Sequence, residues 1–274
     1  SRYQYWQAAA DANATAPLTG IGPGTFEYWW AREGAVGGFV RDAHSLYMES
    51  LAELGIVGLA LVIAFVGGVL VVGVARALRR KRGRTSLLAA ATAGAFAYAV
   101  TAAFDWVWEL TVVTVVFLLL AAAIVGPDAR ARADRPPSRR RRTRLITAAG
   151  LGTLAAASLV AVAIPLAGTS SVRESWRQVE ASDLSSALAS ARTAERVQPY
   201  SATARVQEAL VLELEGDLPG ALAAAREATR HEPTNWRTWF VRSRLEARNG
   251  NARGAVRAYR KARSLNPRSS LLNR

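Results

Sequence analysis

The chain has 274 residues, a net charge of +14, no cysteine and two histidines, His44 and His231. Without cysteine there is no disulfide framework and no thiolate metal site; two histidines add little, and neither a metal nor a cofactor is expected. The positive charge would fit a nucleic-acid partner, but 14 of the 35 Lys and Arg residues fall in two runs, Arg76–Arg84 and Arg130–Arg144, each directly against an apolar segment. Cytoplasmic loops of membrane proteins concentrate cations in this way, so the charge is read as membrane topology.

In chain order, the first stretch is "SRYQYWQAAADA". It lacks the charged start, apolar core and cleavage site of a signal peptide. It reads as the middle of a loop, so a fragment with missing upstream transmembrane helices is expected. Arg2 heads a helix-like aromatic run with Tyr3, Tyr5 and Trp6. The turn "GIGPGTF" (residues 20–26) follows no clear strand and precedes no Lys-Ser/Thr pair, so a dinucleotide or phosphate-loop reading is weak. Two readings stay open for Gly20, Gly22 and Gly24: a tight turn needing positive φ, or bare backbone N–H groups that approach an anion or sugar closely.

The next stretch is "RDAHSLYMESLAELG" (residues 41–55). His44, Tyr47, Leu51 and Leu54 have the spacing of one helix face, with Asp42 or Ser45 as the cap and His44 in the first turn. A lone histidine is ordinarily structural. Here it lies beside Arg41 and Asp42 at the mouth of a membrane bundle, where ionisable residues are functional candidates, and imidazole exchanges a proton near neutral pH. The planar guanidinium of Arg2 or Arg41 suits a diphosphate through bidentate hydrogen bonds; Arg32 reads as a solvated loop charge.

Four apolar segments follow, at about 55–78, 87–104, 107–125 and 145–167. Each is close to the ~20 residues that cross a bilayer. Between the second and third, "FDWVWEL" interrupts with Asp105 and Glu109 and supplies two interfacial tryptophans. Placing the basic stretches 79–86 and 126–144 in the cytoplasm puts residues 1–54, the turn at 105–110 and everything after Gly168 on the other side. The expected domains are an extracytoplasmic loop with a re-entry helix (1–54), three transmembrane helices (55–126), a basic cytoplasmic loop (127–144), a fourth transmembrane helix (145–168) and a repeat domain (169–274).

The tail repeats with a period of 34: Ala187, Ala221 and Ala255; Ala194, Ala228 and Ala262; Pro199, Pro233 and Pro267; Gly216 and Gly250. This spacing is the tetratricopeptide signature, with small residues where paired helices cross and proline ending the second helix. The first repeat borrows its leading helix from about residues 170–180. Trp176, Trp236, Trp239 and Tyr259 are groove or packing residues. From Arg173 onward 18 Lys and Arg stand against 11 Asp and Glu, a charge that would face anionic lipid, wall polymer or only solvent. The fold class is all-α: a polytopic helix bundle followed by an α-solenoid.

Taken together, Arg2, Trp6 and Ala9 in "R-x-x-x-W-x-x-A", the run "PLTGIGPGTF" (17–26) and the run "AHSLYMESLAELGIVG" (43–58) resemble the O-antigen ligase and polymerase superfamily. The "FDWVWEL" turn and the repeat tail resemble its actinobacterial branch. The likeness covers about residues 1–126, and a long amphipathic helix usual before the glycine turn is not visible. The resemblance implies an integral membrane glycosyltransferase of GT-C-like fold, working on the outer face of the cytoplasmic membrane. Its donor would be an undecaprenyl-diphosphate-linked glycan, its acceptor a glycan, lipid or protein, with no metal required. His44 would match the family's loop histidine, as general base or acceptor-orienting group, and Arg2 an arginine that grips the donor diphosphate, with Arg41 beside it. The three glycines would match the loop's turn, with Asp105 and Glu109 lining the site. A second diphosphate-binding arginine would lie upstream, so the fragment alone is expected to be inactive.

The alternative, from another class, is a non-catalytic membrane scaffold whose repeats recruit envelope proteins. Loss of activity on replacing His44 would separate the two readings, and loss of partner binding on deleting 169–274 would define the tail. A small-anion transporter is disfavoured by the low polar content of the first two apolar segments.

Overall fold

The structure is a computed structural model that describes residues 1–79, 85–126 and 141–273. Most of both expected basic loops lies outside the described residues. Those described are helical, with no strand among them. The chain divides into two compact units, Ser1–Arg135 and Pro136–Arg274.

The first unit contains α1 (Arg2–Thr15), α2 (Phe26–Glu33), α3 (Leu46–Leu78), α4 (Thr85–Phe104), a 3-10 turn (Val107–Glu109) and α5 (Thr111–Val125). Two small cores hold it together. Ala8, Ala9 and Ala12 of α1 close on Phe26, Trp30 and Ala52; alanine on both sides lets α1 approach α3 at backbone distance. Val66 and Val69 of α3 pack with Tyr98 of α4 and Phe117 and Ile124 of α5, and Tyr98 stacks on Phe117 at 4.3 Å between ring centres. The outward faces are apolar and open, as at Leu61, Val71 and Leu119. That is the pattern of helices solvated by lipid, which satisfy their own backbone groups.

Three helical stretches are long and apolar enough to cross a membrane: Leu46–Leu78, Ser86–Phe104 and Gly152–Glu180. The expected span at 107–125 differs. Its first residues form the 3-10 turn, leaving a 15-residue helix, Thr111–Val125, of about 22 Å against the ~30 Å of a hydrocarbon core. The first apolar segment is not a separate helix either. It is continuous with the residues before it, and the break is a change of backbone conformation at Gly55 (φ 68°, ψ −169°) inside α3.

The second unit contains α6 (Arg141–Glu180), α7 (Leu184–Val197), α8 (Ala202–Glu215), α9 (Leu218–His231), α10 (Trp236–Arg248) and α11 (Ala252–Leu265). The apolar stretch and the leading helix of the first repeat, expected as separate elements, are one helix, α6, running through Pro165. The helix starts follow the 34-residue period. Asp183, Asp217 and Asn251 occupy equivalent N-caps, each accepting a backbone N–H three residues on, the usual way to satisfy a free helix-start donor. The residues before them, Ser182, Gly216 and Gly250, all have positive φ. Ala187, Ala191, Ala194, Ala221, Ala225 and Ala228 are fully buried where helices cross, and Leu212, Leu222 and Leu245 fill the space between pairs.

Candidate active site

The site is built where α1, the glycine turn and the start of α3 meet. A break in a helix frees backbone groups that need new partners. At Gly55 these are supplied by the segment 16–24: Ile21 N–H donates to Ala52 O (2.9 Å), Gly22 N–H to Glu53 O (3.0 Å), and Ile56 N–H to Pro17 O (2.8 Å). Asn13 adds a bond from Nδ2 to Leu51 O (3.0 Å). The approach is so close that a Cβ on Gly20 would lie 2.2 Å from the Glu53 backbone, and one on Gly55 2.4 Å from that of Leu18.

Gly20, Gly22 and Gly24 all have positive φ. Their amides are engaged within the protein: Gly20 N–H donates to Ala16 O, Gly22 N–H to Glu53 O, and Gly24 N–H to the Glu53 carboxylate at 2.7 Å. The geometry favours the tight-turn reading over that of an open anion cradle. Glu53 is the residue that sequence reasoning missed. Its side chain reaches back 27 residues to take Phe26 N–H at 3.0 Å, and so caps α2 from outside. The cap is invisible to local pattern; the one signal was a glutamate, Glu53, four residues after Glu49 at the edge of an apolar run. Glu49 in turn accepts Ala43 N–H at 3.0 Å, which fixes the backbone just before His44.

His44 is not in the first turn of α3. Ser45 is the N-cap, its Oγ accepting Met48 N–H at 3.3 Å, and His44 precedes it with φ 54°. A non-glycine residue in the left-handed region stores about 1–3 kcal/mol of strain and clusters at functional sites. Asp42, expected as a possible cap, holds the imidazole: Nδ1 lies 2.9 Å from its Oδ1, which also accepts His44 N–H at 3.1 Å. With Nδ1–H donating to Asp42, Nε2 carries the ring's free lone pair, and it has no hydrogen-bond partner among the described residues. The side chain is 30% exposed, and the ring rests against Tyr5, 5.1 Å between centres. Tyr5 meets the buried Trp30 edge-on at 4.9 Å. An acid-held imidazole with an open second nitrogen can accept a proton from a hydroxyl.

Of the other expected site residues, Arg2 forms an ion pair with Asp105 at 3.2 Å, which brings two of them together across α1 and the turn after α4. Both are about half-exposed, so the pair is weak and exchangeable. Trp6, one turn on, lies 5.9 Å from Phe104. Arg41 is exposed and has no polar partner among the described residues. Glu109 is exposed. Arg32 pairs with its neighbour Glu33 at 2.8 Å and is a surface residue. Among the described residues no three His, Asp or Glu side chains are grouped as a metal site would require.

Residues 1–63 match the family model described as O-Antigen ligase. The match takes in α1, the glycine turn, α2, the Arg41–Ser45 stretch and α3 as far as residue 63, which are the elements that build this site. No curated protein matches the chain. The similarity, with the apolar helices, supports a membrane protein of ligase or polymerase type that transfers glycosyl groups.

Proposed function

We propose that residues 1–126 form the donor-side part of a membrane glycosyltransferase of O-antigen ligase or polymerase type. It would use an undecaprenyl-diphosphate-linked glycan on the outer face of the cytoplasmic membrane. The observation that carries the proposal is the Asp42–His44 pair, with its free ring nitrogen, at the head of a membrane-crossing helix and inside the segment similar to O-antigen ligases.

In the reaction, the acceptor hydroxyl oxygen attacks the anomeric carbon of the donor as the bond from that carbon to the diphosphate oxygen breaks. The hydroxyl proton passes to Nε2 of His44, and Asp42 stabilises the imidazolium that results. Negative charge grows on the departing lipid diphosphate. Arg41, exposed and with no polar partner among the described residues, and Arg2, released from Asp105, stabilise it as positioned cations. A single displacement inverts the anomeric centre. Asp105 and Glu109 border the entrance, and the glycine turn holds α1, which bears Arg2, against α3. A lipid-borne donor explains why these groups lie where an apolar helix begins.

The proposed orientation puts residues 1–54 and 169–274 outside the cell, with the basic stretches inside. The 34-residue helical pairs are proposed as a tetratricopeptide module that contacts an envelope partner.

The test is His44→Ala in the full-length protein in its own host, with membrane expression confirmed and lipid-linked glycan and surface polymer profiled together. Accumulated lipid-linked glycan with lost surface polymer supports the transferase. Single repeat units identify a polymerase, and long chains a ligase. An unchanged profile with stable protein defeats the catalytic reading and favours a scaffold.

A further inference from the structure

In the second unit, antiparallel helices define two edges. α6 leaves its apolar stretch and runs to the turn at 181–183; α7 returns, and the pattern repeats through α11. The near edge is level with the end of the apolar stretch. Gly168, one residue past the exposed run that ends at Leu166 and Ala167, sits against the side chain of Gln198 at the end of α7; a Cβ there would lie 2.2 Å from its Oε1. Gly168 therefore marks both the end of the apolar run and the depth of the first returning turn. The second returning turn is tied to the first by Ala202 N–H donating to Glu232 Oε1 at 3.3 Å. The far turns are tied likewise, by Asn249 Nδ2 to Leu218 O at 2.9 Å.

The two edges differ in chemistry. The near edge presents Arg196, Arg230 and Arg268, all exposed, with Tyr200 59% and Leu271 54% exposed and Arg237 lying over the Trp236 ring at 5.3 Å. Of its acids, Glu232 is taken by Ala202 and Asn235 and Glu195 by Arg205, while Glu227 forms an exposed, exchangeable ion pair with Arg230; Arg196 and Arg268 have no acidic partner among the described residues. The first two far turns present exposed Glu180, Asp183, Glu215 and Asp217; only the third, with Arg253, departs from this.

We propose that the near edge of the helical pairs lies on the surface of the bilayer that α6 crosses, with Arg196, Arg230 and Arg268 on anionic lipid headgroups and Tyr200 and Leu271 in the interface. Three arguments support it. The edge is at the depth where the apolar helix ends. Tyrosine and tryptophan prefer that depth. Cations are drawn to an anionic leaflet within a Debye length, while the acidic far edge is kept away. The repeats are thereby laid along the membrane, not held out from it. This inference does not depend on the glycosyltransferase reading.

The chain has no cysteine, so one substitution creates one labelling site. Tyr200→Cys and Leu271→Cys report the near edge, Glu180→Cys and Glu215→Cys the far edge, and Leu159→Cys confirms insertion. Each is made in the whole chain, tagged with an environment-sensitive fluorophore, and reconstituted in phosphatidylcholine vesicles with and without phosphatidylglycerol, carrying a headgroup-region lipid quencher. With phosphatidylglycerol, near-edge labels should be quenched about twofold or more beyond far-edge labels. The excess should shrink in phosphatidylcholine alone and in Arg196→Gln/Arg230→Gln/Arg268→Gln. Equal quenching at both edges while Leu159→Cys is fully quenched overturns the proposal. A near-edge excess that neither lipid charge nor the triple substitution alters overturns the assignment to anionic headgroups.

Discussion

Each unit buries carboxylates, and each holds them differently. In the first, Glu49 and Glu53 accept backbone N–H groups, from Ala43, Gly24 and Phe26. In the second, Glu246 takes Arg226 and Arg242, and Glu213 takes Arg244 and Arg248. Neutral amides brace the loop at the head of α3, and among the described residues this leaves Arg41 without a polar partner and Arg2 with only an exposed one. In the helical pairs Arg226, Arg242, Arg244 and Arg248 are spent on these two internal carboxylates. The same residue type is thus available to a ligand at Arg41 in one unit and structural at Arg226, Arg242, Arg244 and Arg248 in the other.

The sharpest way to break this contrast is His44→Ala, expected to lower transfer in the full-length enzyme by about 10²–10⁴-fold while leaving thermal unfolding unchanged. A fall in both would make His44 structural. Next is the braced loop. Gly20→Ala puts a methyl into the Glu53 backbone and should destabilise the first unit by about 3 kcal/mol or more. Gly24→Ala, whose Cβ would meet nothing within 4 Å, should cost about 1 kcal/mol; melts of the two variants decide. The arginines should split cleanly. Arg41→Ala is expected to reduce transfer about tenfold or more with no change in stability. Arg226→Ala should lower the melting temperature, by about 1–2 kcal/mol of stability, with donor turnover unchanged.

Glu246 gives a pH signature. Its burial opposes ionisation, but hydrogen bonds from Arg226, Asn251 and Arg242 outweigh that and hold its carboxyl below the ordinary range. The unfolded state then binds more protons in that window, so the stability is fully present above about pH 4.3 and is lost as pH falls through the lower folded value. Circular dichroism melts from neutral to acid pH should show this loss, reduced in Glu246→Gln. The smallest expected effect is a gain. Ser182 has φ 61° where the equivalent positions are Gly216 and Gly250, and Ser182→Gly should stabilise by about 1 kcal/mol.

Much of the helical content was legible because it rests on periodicity. Apolar runs located the long helices, and the 34-residue spacing of Ala187, Ala221 and Ala255 located the pairs. What escaped was nonlocal or lay in one backbone angle. Hydropathy averages across Gly55 and cannot see that α3 changes direction there. The Glu53 cap joins residues 27 apart. Asp42 next to His44 read as a helix cap, because a sequence does not reveal that His44 takes a positive φ and turns its ring back. The short α5 escaped because a 3-10 turn consumes residues that are apolar enough to have continued a span.

Arg76 of α3 donates to Ile124 O at 2.5 Å and Gly126 O at 2.7 Å, which pins the ends of α3 and α5 to one depth. From Ile56 to Ala75, α3 offers about 30 Å of apolar helix, while α5 offers about 22 Å. With one end shared, the whole difference of about 8 Å falls at the opposite leaflet. In a bilayer the flank formed by α5 would be too short for an ordinary hydrocarbon core, a mismatch that local thinning of the lipid, snorkelling of flanking residues or oligomerisation would meet. In vesicles graded by acyl-chain length, this unit should reconstitute best in the shorter-chain members, as an intrinsic gauge of membrane thickness.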